Sequence, residues 1–141
     1  MKKIIFSFLG VILALGIFYG CDRQSDQAST DEIKIGVILG FTGPIESLTP
    51  TMASSAELAM KEVSDSGLLL GGASVSSVRA DSTCVDAGAA TSAAERLVTS
   101  DNVAAIMGAD CSGVTTAIAN NVAVPNGVTI ISPSATSPAL T

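Results

Sequence analysis

The sequence predicts an α/β fold in which a parallel β-sheet is flanked by helices. Short apolar runs rich in β-branched residues alternate with longer segments of helical spacing, and glycines or capping residues mark the changes. In addition, Val37-Ile38-Leu39 is apolar without alternation, the pattern of a strand buried on both faces, as in parallel sheets.

The elements follow in order. A strand over 33–39 ends in the loop Gly40-Phe41-Thr42-Gly43-Pro44. A helix is predicted over 51–66, with Met52, Ala56, Ala59, Met60 and Val63 forming its apolar stripe and Gly67 stopping it. The strand over 73–80 is less apolar and is expected near a sheet edge. Asp86 is placed to cap a helix over 87–99, whose stripe is Ala90, Ala93, Ala94, Leu97 and Val98. A third strand over 103–107 runs into Gly108, Ser112 is read as the cap of a helix reaching about 122, and Gly127 precedes a fourth strand over 128–132. The resulting βαβαβαβ order shows no internal repeat and argues for a Rossmann-like parallel sheet with helices on both faces.

Composition narrows the function. The 141 residues suffice for one domain with a real core, and 48% hydrophobic against 14% charged residues excludes a disordered tail. Seven basic against thirteen acidic residues, net −6, argue against nucleic acid, whose phosphates need a basic footprint. There is no histidine, so neither a Ser-His-Asp nor a Cys-His arrangement is available and the commonest zinc ligand is missing. The expectation is a chain that is not an enzyme and carries no cofactor or metal.

The N-terminus reads as a targeting segment. Met1-Lys2-Lys3 precedes an apolar run over 4–19, too short for the ~20 residues of a typical membrane span, and Gly20-Cys21 leads into a polar stretch. Four of the five aromatics lie here, leaving Phe41 alone in the remainder. Phe18-Tyr19-Gly20-Cys21 resembles a bacterial lipoprotein junction, although Leu usually stands three residues before the Cys and a small residue two before. The expected organisation is a lipoprotein-like signal peptide over 1–20, a tether over 21–32 with Cys21 as the lipidation site, and a domain from 33 to 141, exported to the periplasm or cell envelope. Asp22 then resembles a signal for retention at the inner membrane of a Gram-negative cell.

In parallel α/β sheets ligands bind at the carboxyl ends of the strands, near the switch in strand order. The loops at that rim are 40–44, 81–85, 109–113 and 133–137. Cys84 and Cys111 fall in two of them, in no CxxC pair, and on strand ends taken as adjacent; in an exported protein they are expected to form a disulfide, worth roughly 3 to 4 kcal/mol in the loop-entropy model. Ser112 and Gly113 open a helix whose N–H groups and dipole suit a carboxylate. Ser134, Ala135 and Thr136 add N–H groups and hydroxyls from the next strand end, between two prolines. A serine N-cap and a Ser-Pro turn are the ordinary readings of each alone; their placement side by side favours a site. Asp81, Asp86, Asp101 and Asp110 are read as caps and solvated loop residues, and Gly67-Leu68-Leu69-Leu70-Gly71-Gly72 as a helix stop and loop rather than a phosphate cradle.

The stretches Lys34-Ile35-Gly36-Val37, Thr42-Gly43-Pro44, Asp81-Ser82-Thr83-Cys84, Gly108-Ala109-Asp110-Cys111-Ser112 and the block from Ile131 to Thr141 resemble the first lobe of type I periplasmic binding proteins, in the leucine/isoleucine/valine branch of ABC importers. The resemblance covers 33–141 and implies an incomplete first lobe of a two-lobed trap for an amino acid or related small carboxylate. It also implies that the Ser112 hydroxyl and the Thr136 hydroxyl and N–H bind the α-carboxylate, that the Ser134 carbonyl faces the ammonium, and that Cys84 pairs with Cys111. Leu48 falls where the branched-chain binders carry a tyrosine over the ligand side chain. The implied partners are the small-molecule ligand and a membrane permease, with the chain itself a monomer. Because family members continue through a second lobe, the chain is expected to be an N-terminal fragment that binds weakly alone and exposes a sheet edge. The alternatives are a ligand-sensing extracytoplasmic domain of a receptor and an exported α/β hydrolase using Ser112 or Ser134, which lacks both His and a GxSxG elbow.

Overall fold

The computed structural model describes residues 31–140. The expected signal peptide, the expected tether up to residue 30 and Cys21, the expected lipidation site, lie outside the described residues. Four strands, β1 (Glu32–Leu39), β2 (Ser74–Asp81), β3 (Ala105–Gly108) and β4 (Thr129–Ile131), form one parallel sheet in the order β2-β1-β3-β4. Strand order therefore reverses between β1 and β3, which puts the switch point at their carboxyl ends. β2 takes the edge, as its polar pattern predicts.

Three helical segments join the strands. α1 (Thr49–Ser66) begins two residues earlier than predicted, because Pro50 is compatible with a first helical turn, and ends at Gly67 in the left-handed conformation. α2 (Ala87–Thr99) is capped by Asp86, whose carboxylate accepts the Ala89 N–H at 2.9 Å. α3 (Ser112–Ile118) continues through a π-helical stretch over Ala119–Ala123 and a last turn over Val124–Asn126 before Gly127 ends it. Short 3₁₀ turns occupy Leu69–Gly71 and Pro138–Leu140. None of the helices among the described residues is long and apolar enough to cross a membrane.

The two faces of the sheet are covered unequally. On one, Ile38 and Ile106 pack against Ala90, Ala94 and Leu97 of α2 and Val114, Ile118 and Val122 of the third helical segment, all at most 2% exposed. On the other, Val37, Leu39 and Ala53 make a smaller core with Met52, Met60, Phe41 and Met107 around it. Here the predicted stripe of α1 is only half used: Ala59 and Val63 stay exposed, because α1 lies over β1 and β2 and leaves Ile131 of β4 exposed on this face. Ala53, absent from that stripe, is fully buried, as is Thr49 at the start of the helix.

Candidate functional site

The site is built at the switch point from the four strand-end loops. Gly108 ends β3 at φ 129°, and a Cβ there would overlap the Ile38 carbonyl of β1, so the two strands approach this closely only with glycine between them. Ala109 follows, buried, and its carbonyl accepts hydrogen bonds from the Thr115 hydroxyl at 3.0 Å and from the Ser132 hydroxyl. Those two bonds fix the β4 loop against the start of α3.

Two serine hydroxyls divide four successive amides of that loop. Ser132 Oγ accepts the N–H groups of Ser134 at 3.3 Å and Ala135 at 2.8 Å. Ser112 Oγ accepts those of Thr136 at 3.1 Å and Ser137 at 3.2 Å. With both lone-pair regions so used, the Ser112 hydroxyl has its own proton left to donate, and no acceptor for it is present among the described residues. The Thr136 side chain is exposed. Ser112, Ser134, Ala135 and Thr136 are thus brought together. Ser112 is not the helix cap that the sequence predicts: Cys111 holds that position in extended conformation, and Ser112 is already helical, so its hydroxyl turns to the β4 loop. Ser132 was missed, although a serine before Pro133 is a signal for a side chain that organises a turn.

Cys84 and Cys111 form a disulfide with Cα atoms 5.2 Å apart. Their strands are not neighbours as expected; β1 lies between β2 and β3, and the bond passes over the carboxyl end of β1. The reason is length: both loops reach across a single strand at the switch point. Asp110 also departs from its reading as a solvated residue. It is 4% exposed, and its carboxylate accepts the Gly40 N–H at 2.9 Å, the Ser82 hydroxyl at 3.3 Å and the Cys111 N–H at 3.1 Å.

The β1 loop is held from the β2 side. Asp81 accepts the Thr42 hydroxyl at 2.6 Å and the Thr83 N–H at 2.8 Å; these bonds hold its carboxyl below the usual range despite the partial burial that opposes ionisation. Arg79 lies over the Phe41 ring at 5.6 Å and pairs bidentately with Glu57, whose carboxyl its hydrogen bonds lower. Leu48 stands at the N-cap of α1, 60% exposed, on the same loop. No group of three potential metal ligands comes together among the described residues.

Residues 32–141 match the family described as periplasmic binding protein. No curated protein matches the chain in sequence. Among solved structures, the branched-chain amino acid transporter substrate-binding protein LivJ from Streptococcus pneumoniae, in complex with isoleucine, is 33% identical with a TM-score of 0.70 over 78% of this chain. The leucine-binding protein LivK from Thermotoga maritima is 30% identical with a TM-score of 0.66 over 77% of this chain. An ABC transporter substrate-binding protein from Desulfitobacterium hafniense, in complex with leucine, is 28% identical with a TM-score of 0.66 over 78% of this chain. The chain spans 31%, 29% and 31% of the lengths of those three proteins. A parallel sheet of this order, a rim that gathers hydroxyls and amides at its switch point, and a match from end to end of the described fold agree: this chain belongs to the periplasmic binding protein family, in the company of substrate-binding proteins of branched-chain amino acid ABC transporters.

Proposed function

We propose that the chain is the carboxylate-gripping part of an extracytoplasmic solute-binding protein that serves an ABC importer, and that its ligand is a branched-chain or similar small amino acid. The observation that carries the reading is the Ser112 hydroxyl, which accepts two amides of the β4 loop and keeps its own proton to donate. Two accepted N–H bonds polarise that O–H, and a carboxylate beside it also meets the N-terminal end of the third helical segment. Thr136 contributes its exposed hydroxyl to the second carboxylate oxygen, and the Ser134 carbonyl takes the ammonium. Ala135 forms the wall between them, and Leu48 borders the space for the side chain. The relatives that bind isoleucine and leucine support this ligand class.

The enclosing half of the pocket belongs to the second lobe that such proteins carry, since a small-molecule site buries most of its ligand. Export through the N-terminal apolar segment and anchoring by a lipid on Cys21 complete the reading, with a membrane permease as the partner. Isothermal titration calorimetry of the full chain in mild detergent against leucine, isoleucine, alanine and glutamate tests it. Heat with leucine and isoleucine that disappears in Thr136→Ala is expected. Binding that survives Thr136→Ala and Ser112→Ala refutes the assigned grip.

A further inference from the structure

Asp110 meets all four strand-end loops at once. Oδ2 accepts the N–H of Gly40 from the β1 loop; Oδ1 accepts the Ser82 hydroxyl from the β2 loop and the Cys111 N–H from its own. Its main-chain carbonyl accepts the Ser134 hydroxyl of the β4 loop at 2.7 Å. The residues so joined lie 70, 28 and 24 positions away in the chain. Packing is tight as well as polar: a Cβ on Gly40 would stand 3.4 Å from Oδ2 and 3.3 Å from the Cys84 Cβ. A carboxylate this buried is kept only where its acceptor capacity is met, and here three donors meet it.

We infer that Asp110 is a positioning residue of the ligand site: it touches no ligand, but sets the β1, β2 and β4 loops relative to Ser112, so that the Ser112 and Thr136 hydroxyls border one point. The inference rests on the ligand reading above only for what that point holds. The disulfide restrains two of the four loops, and among the described residues only Asp110 hydrogen-bonds to both of the other two.

Asp110→Asn keeps the shape and replaces one acceptor oxygen by a donor, leaving either Gly40 or the Ser82–Cys111 pair facing an N–H₂. The test is amide hydrogen exchange, read by NMR on the full chain in detergent, together with a leucine titration. In Asp110→Asn the amides of Gly40 and Cys111, which the carboxylate accepts, exchange about tenfold faster while those of Val37 and Ile106 in the sheet keep their rates, and the leucine dissociation constant rises about tenfold. Unchanged exchange at Gly40 and Cys111, or equal acceleration throughout the sheet, overturns the inference, the second because it reduces Asp110 to general stability. If Asp110→Asn does not fold, Ser82→Ala, which removes one of the three donors, decides in the same way: faster exchange confined to the rim supports the role, and none refutes it. Rim amides that respond as expected in a chain that takes up no leucine leave the positioning role standing and refute the ligand reading instead.

Discussion

Replacing both Cys84 and Cys111 by alanine removes a cross-link between residues 27 apart in sequence. In the loop-entropy model, closing a loop of that length is worth about 12 cal/mol/K, or about 3.5 kcal/mol at 25 °C. The rest of the rim is arranged so that little of this is recovered by relaxation. Thr83 and Cys84 hold left-handed φ values of 55° and 70°, and Asp81 keeps accepting the Thr83 N–H whether or not the bond is present. That strained turn therefore persists in the variant and releases little energy. For a domain of about this size 1 kcal/mol corresponds to roughly 4 °C, so the midpoint falls by about 14 °C. Circular dichroism melts of the oxidised chain, the chain with reductant and the double alanine variant make the comparison, and the last two should coincide. A loss below about 4 °C would refute the entropic assignment and mean that the hydrogen bonds of the rim hold it without the cross-link.

Other expectations follow from single residues. Gly108→Ala places a side chain at φ 129° against the Ile38 carbonyl, a backbone contact that cannot yield, so urea unfolding should lose about 3 kcal/mol or more. Both Glu57 and Asp81 have carboxyl pKa values lower in the folded chain than their ordinary 4.5 and 3.8, so their stabilisation is present above those values and is lost as pH falls through the folded ones. A pH series of urea midpoints should therefore decline below about pH 4.5, with Glu57→Gln and Asp81→Asn flattening that limb. Because Arg79 and Glu57 are 44% and 31% exposed, removing their pair should cost no more than about 1 kcal/mol near neutrality, read from the same unfolding curves.

Much of this architecture is legible in local sequence, and the limits of that legibility are physical. Val37-Ile38-Leu39 reads as a doubly buried strand because no polar residue interrupts it, and all three are fully buried. Asp86 and Gly67 read as helix boundaries because each acts within three residues of itself. Asp110 does not, since nothing around it in sequence announces that Gly40 arrives from 70 residues away. Ser112 was misread for a related reason: the competition between Cys111 and Ser112 for the cap position is settled by the disulfide and the β4 loop, both nonlocal. The stripe of α1 was legible as apolar, but which half is covered depends on sheet order. The grouping of Ser112, Ser134 and Thr136 was legible because consecutive parallel strands β3 and β4 are neighbours, whereas the neighbourhood assumed for the cysteines failed because β1 intervenes.

Whether the β3 and β4 rim holds an amino-acid carboxylate is decided by ¹⁵N chemical-shift mapping of the full chain during a leucine titration. Shifts should concentrate at the amides of Ser112, Gly113, Ala135, Thr136 and Ser137, be reproduced by isoleucine and be absent with leucine amide, which lacks the carboxylate. Shifts centred elsewhere, or equal responses to leucine and leucine amide, would contradict it.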